Sequence, residues 1–241
     1  MIKRLVDVVL AASALLLLTP VLAIAALGIR LSSPGPILYR ARRVGRDGRI
    51  FCMYKFRTMQ VNHGTFTSRI TAQNDPRIFT LGVWLRGLKI DELPQLINVL
   101  RGEMSLVGPR PEDPRIVEDY YAQIHLETLQ AQPGLTSPGS IYDYTHGERL
   151  LDKSDTERCY VERLLPVKLA LDTIYLRRSS LAYDVRIILR TVWVIVVSAL
   201  GVRFFPDPPE MEEARGIILP TKQPGNTPIV PISSIQSPER R

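Results

Sequence analysis

A mostly helical α+β fold is predicted, in which an apolar, proline-interrupted N-terminal helix precedes a compact domain with a small β element. Three observations lead there. Val8 to Ile29 is a run of 22 residues without a charge. Beyond residue 79 the apolar residues recur at helical spacing. Only two neighbouring runs, Ile37–Arg40 and Ile50–Tyr54, read as strands.

The apolar run comes first. As a straight helix it would be roughly 33 Å long, enough to cross a bilayer. It is too long for the apolar core of a usual signal peptide, and no small-x-small cleavage site leads into a polar mature start. Thr19-Pro20 lies near its middle, where proline removes a backbone donor and clashes with the carbonyl four residues earlier. Both flanks are basic: Lys3 and Arg4 before it, Arg30, Arg40, Arg42, Arg43, Arg46 and Arg49 after it. Basic flanks favour the cytoplasmic side. The residues alone leave two topologies open, a spanning helix and a re-entrant one that turns at the proline and leaves by the same face. In both, the larger basic flank places the rest of the chain in the cytoplasm.

Ser32-Ser33-Pro34-Gly35-Pro36 is a turn-rich linker. The two strand-like runs bracket Val44-Gly45-Arg46-Asp47-Gly48, whose Asp-Gly pair predicts a β-hairpin. Residues 60–77 are polar and predict a loop. Phe79–Leu88 predicts a short helix and Glu92–Leu100 a clearer one. In the latter, Leu93, Leu96, Ile97 and Leu100 share a face, with Asp91 as N-cap and Gly102 as stop. Pro114–Gln132 predicts a helix ended by Pro133-Gly134. Ser154–Leu176 is helical in pattern, Arg177-Arg178-Ser179-Ser180 breaks it, and Leu181–Leu200 restarts it. Thr191–Val202 is uncharged but, at 12 residues, too short to span. It reads either as a buried helix or as one lying on a membrane with Trp193 at the interface. From Pro206 on, eight prolines in 36 residues predict a mobile tail.

Composition excludes several classes of function. The 241 residues carry a net charge of +7 and are 45% hydrophobic, so the chain is not disordered. Two cysteines and three histidines rule out a disulfide scaffold and argue against a Cys/His zinc site. A basic excess suits nucleic acid, a membrane surface or anionic substrates. No nucleic-acid motif is present and the basic residues are dispersed, so nucleic acid is not an expected partner. No P-loop, GxGxxG, GxSxG or HExxH occurs.

The candidate chemistry is Asp91-Glu92. Taken alone it is an ordinary helix start, an N-cap and a first-turn acid. Its surroundings are less ordinary: Arg86, Lys89, Arg101, Arg110 and Arg115 lie within about thirty residues, and Lys55 and Arg57 lie upstream. Carboxylates among guanidinium groups are what a phosphate-handling site needs. Adjacent helical residues point about 100° apart, so the two acids cannot share one task. One could attack phosphorus while the other holds a hard cation such as Mg²⁺.

Lys55-Phe56-Arg57-Thr58-Met59, Ile90-Asp91-Glu92-Leu93-Pro94-Gln95-Leu96, the stretch Asn98 to Pro111 and Ser180-Leu181-Ala182-Tyr183-Asp184-Val185 resemble the bacterial sugar transferase family. These are monotopic polyprenol-phosphate phosphoglycosyl transferases, here in the small, catalytic-domain-only form. The resemblance covers about residues 1–200 and is most specific over 90–111. It implies a re-entrant membrane helix at 1–31, a cytoplasmic catalytic domain with membrane-surface helices at 32–205, and a proline-rich tail at 206–241 outside the family pattern. It further implies two-step transfer of a phosphosugar from a UDP-sugar to polyprenol (undecaprenyl) phosphate at the cytoplasmic face of the bacterial inner membrane. In that scheme Asp91 is the nucleophile and Glu92 the Mg²⁺ ligand. Arg86 binds phosphate, and Pro109-Arg110-Pro111 contacts the nucleotide through Arg110. Lys55, Arg57 and Asp184 match positions expected to serve substrate. Lys3 and Arg4 are expected to hold lipid headgroups, and Thr19-Pro20 to break the helix. A homo-oligomer is compatible with the family but not readable here.

The chain departs from the family in two places. Gly87-Leu88-Lys89 stands before the dyad where small hydroxyl residues are usual. Ser137-Pro138-Gly139-Ser140-Ile141-Tyr142-Asp143-Tyr144 replaces an aromatic and Gln-Val after Thr136, in a region expected to touch the sugar. His146 and Arg149, just beyond, read as structural or exposed. A non-catalytic membrane-anchored scaffold for glycan enzymes is the alternative reading, weakened by retention of both acids and Arg110.

Overall fold

The computed structural model describes residues 1–60, 75–150 and 155–218. The expected loop at 60–77 falls mostly outside this range, as do residues 219–241 of the expected tail.

Helix α1 spans Ile2–Ser32, 31 residues with Pro20 inside. At 1.5 Å per residue it is roughly 46 Å long. Helical hydrogen bonding is present on both sides of Pro20, so Thr19-Pro20 does not divide the element into two separate helices. An apolar helix keeps its backbone bonds internal wherever it can, and one missing donor costs less than exposing several. Thr19 Oγ1 donates to the Leu15 carbonyl at 2.7 Å, a bond that often bends helices without ending them. By length and composition α1 is able to cross a membrane, and only 11% of its most apolar window is buried.

Strands β1 (Leu38–Val44) and β2 (Ile50–Phe56) form the expected hairpin, antiparallel from Leu38↔Phe56 to Val44↔Ile50. Asp47 turns the chain at φ 56°, a conformation that Asp tolerates better than most side chains. Helix α2 (Thr80–Gly87) follows. The dyad then lies on a single 3₁₀ turn, Ile90–Glu92, and α3 begins only at Gln95, running to Arg101. Asp91 is therefore not the N-cap of α3, and Pro94 occupies that position. Proline needs no amide partner there, which leaves the Asp91 carboxylate uncommitted to the helix. Gly102, at φ 82°, ends α3 as expected.

Strands β3 (Ser105–Val107) and β4 (Gly134–Thr136) pair in parallel. They approach so closely that a Cβ on Gly134 would lie 2.1 Å from the Gly108 amide nitrogen. Between them the expected 114–132 helix divides into α4 (Pro114–Tyr120) and a 3₁₀ stretch, Gln123–Gln130. Helix α5 (Pro138–Leu150) packs on the chain's most buried helix, reached through α6 (Thr156–Cys159), a π turn at Tyr160–Leu164, and α7 (Leu165–Arg177). Pro166 in the first turn of α7 fits that register change. Ser180 then caps α8 (Leu181–Ala199), accepting from the Tyr183 amide. Helix α9 (Met211–Arg215) lies inside the stretch read from sequence as a mobile tail, yet Met211 and Ala214 are buried in the main core with Leu164, Leu165 and Leu171.

Both halves of α1 rest on this one domain. Ala11 packs with Leu96, Val99 and Met104, whereas Ala25 and Ile29 pack with Phe56, Phe79 and Leu85. Between these contacts Leu16 and Leu17 are exposed, as are Ile24 and Leu27 on the outer face. Apolar side chains are also exposed on α2 (Val83, Trp84) and α8 (Leu189, Val192, Trp193, Val196), while Ile187 and Val194 hold the inner side of α8.

Candidate active site

The 3₁₀ turn carrying the dyad is framed by the hairpin on one side and the loop after β3 on the other. Asp91 and Glu92 are both buried. One oxygen of Glu92, Oε1, accepts from Arg110 Nη2 at 2.7 Å and from Lys55 Nζ at 3.3 Å, with Lys89 Nζ 3.6 Å away. Its other oxygen receives only a long bond, 3.4 Å, from Gln95 Nε2. Burial by itself would raise the Glu92 pKa, but Arg110, Lys55 and Lys89 outweigh it and hold the carboxyl well below the usual glutamate range. These neighbours favour the carboxylate form of Glu92.

Asp91 shifts the other way. Burial pushes its pKa up, and the neighbouring Glu92 charge adds to that; Lys55, Lys89 and Arg86 pull the other way without cancelling the rise. Its Oδ1 is buried without a hydrogen-bond partner. A desolvated carboxylate with a free lone pair is a stronger nucleophile than one tied up by donors. The two adjacent carboxyls thus sit in different electrostatic environments.

Each cation is positioned by something else. Lys55 projects from β2. Arg86 Nε donates to Thr58 Oγ1 at 2.8 Å at the end of α2. Arg110 is held three ways: its guanidinium by Glu92 and by the Leu135 carbonyl at 3.2 Å, its backbone amide by Asp172 Oδ2 at 3.2 Å. Asp172 also accepts from the Gly139 amide at 2.9 Å, fastening α5 to the Pro109–Pro111 loop. Pro109 accepts from the Gly134 amide at 2.9 Å, and Pro111 restricts the backbone after Arg110. Neither proline supplies a side-chain donor.

The structure gathers Lys55, Arg86, Arg110, Asp91 and Glu92 into one cluster. Other residues singled out from sequence lie elsewhere. Arg57 closes the end of α1, donating to the Pro36 carbonyl at 2.6 Å and to Ser33 Oγ and carbonyl at 2.8 and 2.7 Å. Lys3 pairs with Asp184 at 2.5 Å, and Asp184 accepts from Tyr175 Oη at 2.6 Å. Arg4 donates to the Val99 and Leu100 carbonyls at the end of α3, where Val99 also accepts from the Gly102 amide. All three cations are engaged by groups of the protein, Arg57 in a buried position and Lys3 and Arg4 in partly exposed ones. Thr19 and Pro20 lie at the middle of α1, between its two contact regions. His146 stacks on Tyr142 at 4.5 Å, and Arg149 lies over Phe204 at 5.2 Å; both roles are structural.

Sequence reasoning passed over Asp7, Asp172 and Gln95. Asp7 is buried in the second turn of α1, where it accepts from Ser105 Oγ and from the Leu106 amide. A lone acid one turn beyond Lys3 in an otherwise apolar helix was its available signal. Asp172 had none, being an ordinary residue on an ordinary helix, whereas Gln95 lay within the Ile90–Leu96 motif without a role of its own being drawn.

The oxygens present suit a hard cation. Asp91 Oδ1 and Gln95 Oε1 are buried without donors, and Glu92 Oε2 is only weakly engaged. Among the described residues no group of three or more His, Cys, Asp or Glu side chains is placed to hold a metal. An ion here would need substrate oxygens or water as well, which is how Mg²⁺ is usually held.

Fold and site together define a class of proteins in which an apolar helix is docked on a small α+β domain and an acidic pair is ringed by cations. The chain belongs to the bacterial sugar transferase family, whose sequence profile matches residues 1–198. It is 37% identical over 195 residues to the UDP-glucose:undecaprenyl-phosphate glucose-1-phosphate transferase of Escherichia coli, a match covering 80% of this chain and 40% of that protein. With the enzyme of the same name from Caulobacter vibrioides it shares 40% identity over 192 residues, 79% of this chain and 68% of the relative. The exopolysaccharide production protein ExoY of Rhizobium meliloti is 35% identical over 216 residues, 82% and 87% of the two chains. The chain thus spans about two-fifths of the length of the Escherichia coli relative.

Proposed function

We propose that this protein transfers a sugar phosphate from a UDP-sugar to undecaprenyl phosphate and releases UMP. The reading is supported by the names of its relatives, which act on UDP-glucose or UDP-N-acetylgalactosamine and undecaprenyl phosphate. One observation carries the chemistry: a buried aspartate with an unpartnered oxygen beside a glutamate saturated with cations.

In the first step an Asp91 carboxylate oxygen attacks the phosphorus that bears the sugar. The P–O bond to the UMP phosphate breaks, UMP leaves with that electron pair, and a phosphosugar–aspartyl ester remains. An oxygen of undecaprenyl phosphate then attacks the same phosphorus, forming undecaprenyl diphosphosugar and returning Asp91 as carboxylate. One phosphoanhydride replaces another, so no energy source is needed. Arg110, Lys55 and Arg86 neutralise charge on the phosphoryl oxygens, where fixed cations in a water-poor site act most strongly. Glu92 holds Arg110 and Lys55 in place through Oε1, which leaves its second oxygen only weakly engaged by Gln95. If Mg²⁺ binds, Glu92 Oε2 and Gln95 Oε1 would hold it together with substrate oxygens or water, and it would supply further charge neutralisation on the diphosphate.

The lipid substrate requires the site to lie near a membrane surface. Contact of both halves of α1 with one domain favours a re-entrant rather than a spanning helix, since a spanning helix would carry one half away from that domain. The exposed apolar side chains of α2 and α8 favour helices lying on the bilayer, with Trp193 at the interface. UDP-sugars are cytoplasmic, so the domain faces the cytoplasm as the first membrane step of a surface glycan pathway.

The test is UMP release from a panel of UDP-sugars with Mg²⁺, with and without undecaprenyl phosphate. Turnover should depend on the lipid. With the lipid withheld, a stoichiometric UMP burst is expected in the wild type and not in Asp91→Asn. Full turnover by folded Asp91→Asn would overturn the covalent route. Failure of every sugar would return weight to a scaffold role.

A further inference from the structure

We propose that Lys89 is an additional diphosphate-binding cation of this chain, poised to leave Glu92 and pair with the nucleotide phosphates. The inference rests on reading the dyad as the UDP-sugar site.

Lys89 lies two residues before Asp91 at φ 56° and ψ 18°, in the left-handed region. It and Asp47 are the only non-glycine residues with positive φ among the described residues. An unbranched side chain there is strained, and such strain concentrates at functional positions. Gly87, two residues earlier, would have adopted that conformation without cost. The turn instead falls on the lysine and starts the 3₁₀ turn that carries the dyad.

The hydrogen bonds leave Lys89 unsatisfied. A carboxylate oxygen has two lone pairs, and Glu92 Oε1 already accepts from Arg110 and Lys55. At 3.6 Å Lys89 is a neighbour of that oxygen, beyond hydrogen-bond length. Its other contact is the ring of Tyr144, 4.6 Å below the ammonium. Tyr144 is itself fixed by its hydroxyl, which donates to the Gly87 carbonyl at 2.7 Å. An aromatic face steadies a cation without neutralising it. The Lys89 side chain is 34% exposed, against 21% for Lys55 and 16% for Arg110, which makes it the solvent-facing cation of the three.

Charge balance points to the ligand. Lys55, Arg86, Lys89 and Arg110 surround Asp91 and Glu92, with Asp75 paired to Arg77 and with Lys168 shared between Asp143 and Glu112 beside Arg110. Counting Lys168, five cations stand against four carboxylates, a surplus of one positive charge. A nucleoside diphosphate ester is anionic. Without Lys89 no surplus would remain to meet it.

The experiment is calorimetric titration of UDP into the detergent-solubilised full chain at two salt concentrations. Lys89→Asn removes the charge with a residue that tolerates the left-handed region, Lys89→Gly does so with no strain, and Lys89→Arg retains the charge. Both neutral variants should bind UDP about tenfold more weakly, with a shallower dependence on salt. Lys89→Arg should restore affinity to within about threefold of wild type. Wild-type affinity and salt dependence in folded Lys89→Asn or Lys89→Gly would overturn the role of Lys89 alone. A wild-type protein that does not bind UDP would overturn the reading of the dyad beneath it.

Discussion

Asp91 shows most directly how environment sets the role of a residue. It is buried beside another acid, one of its oxygens lacks a donor, and its pKa is raised by burial and by Glu92. Such a group destabilises the fold it belongs to. Asp91→Asn should therefore abolish turnover yet leave the protein as stable as wild type or more so, by about 1 kcal/mol. Thermal unfolding in detergent checks this, and a marked loss of stability would contradict it. As the proposed nucleophile Asp91 would act only when deprotonated, so the acid limb of kcat/KM should lie above the range of an ordinary aspartate. Asp172 allows a separate check. Burial pushes its pKa up to about 6 from 3.8, although bonds from Ser137, Gly139 and Arg110 and the charge of Lys168 oppose the rise. A carboxyl that binds its proton more tightly when folded contributes stability at low pH and loses it as pH rises through 6. Over that window the difference approaches about 3 kcal/mol. Relative to wild type, Asp172→Asn should lose ground at pH 4.5 and regain it at pH 8. An offset between their melting temperatures that ignores pH would count against it.

At the scale of elements, the first turns of α1 are tied to the domain by polar groups. Lys3 bonds to Asp184 on α8, Arg4 closes α3, and Asp7 caps β3. Arg57 does the equivalent at the far end, with bonds to Ser33 and Pro36. Sequence reasoning expected Lys3 and Arg4 to meet lipid headgroups and Arg57 to meet substrate, since a cation near a membrane or an acidic site invites that reading. The structure engages all three with backbone acceptors or a buried carboxylate. Arg57→Lys keeps the charge but cannot reproduce the fork. It should lower stability by about 2 kcal/mol, the scale of charge-assisted bonds to buried acceptors, while KM for the UDP-sugar stays unchanged. A raised KM without loss of stability would restore Arg57 to the substrate site.

For the whole molecule the question is how a 31-residue apolar helix relates to the domain it precedes. Its two halves are anchored on opposite sides of an exposed apolar middle containing Leu16 and Leu17. Under the re-entrant reading, a cysteine placed at Ile2 in intact cells should resist a membrane-impermeant thiol reagent applied from outside and react once the cells are opened. Labelling from outside would establish a spanning helix. The native Cys52 and Cys159 are both partly buried, so a variant with both replaced by serine provides the background.

The amino-acid sequence by itself determined the elements whose signals are local. These are the apolar run, the Asp-Gly hairpin, the α3 stop at Gly102 and the α8 start at Ser180. It also singled out the acidic pair, because Asp91, Glu92, Arg86 and Arg110 fall in a short stretch whose composition is itself unusual. Tertiary structure decided which cations belong to that pair. Lys55 and Arg57 are two residues apart on the chain, yet one meets Glu92 and the other Ser33, because β2 ends at Phe56 and the strand periodicity that would put both on one face stops between them. Position of the dyad on a separate 3₁₀ turn, continuity of α1 through Pro20, burial of α9 and the hold of Asp172 on Arg110 were not legible either. Each depends on contacts between residues tens of positions apart, and periodicity in a sequence carries no record of which face meets which.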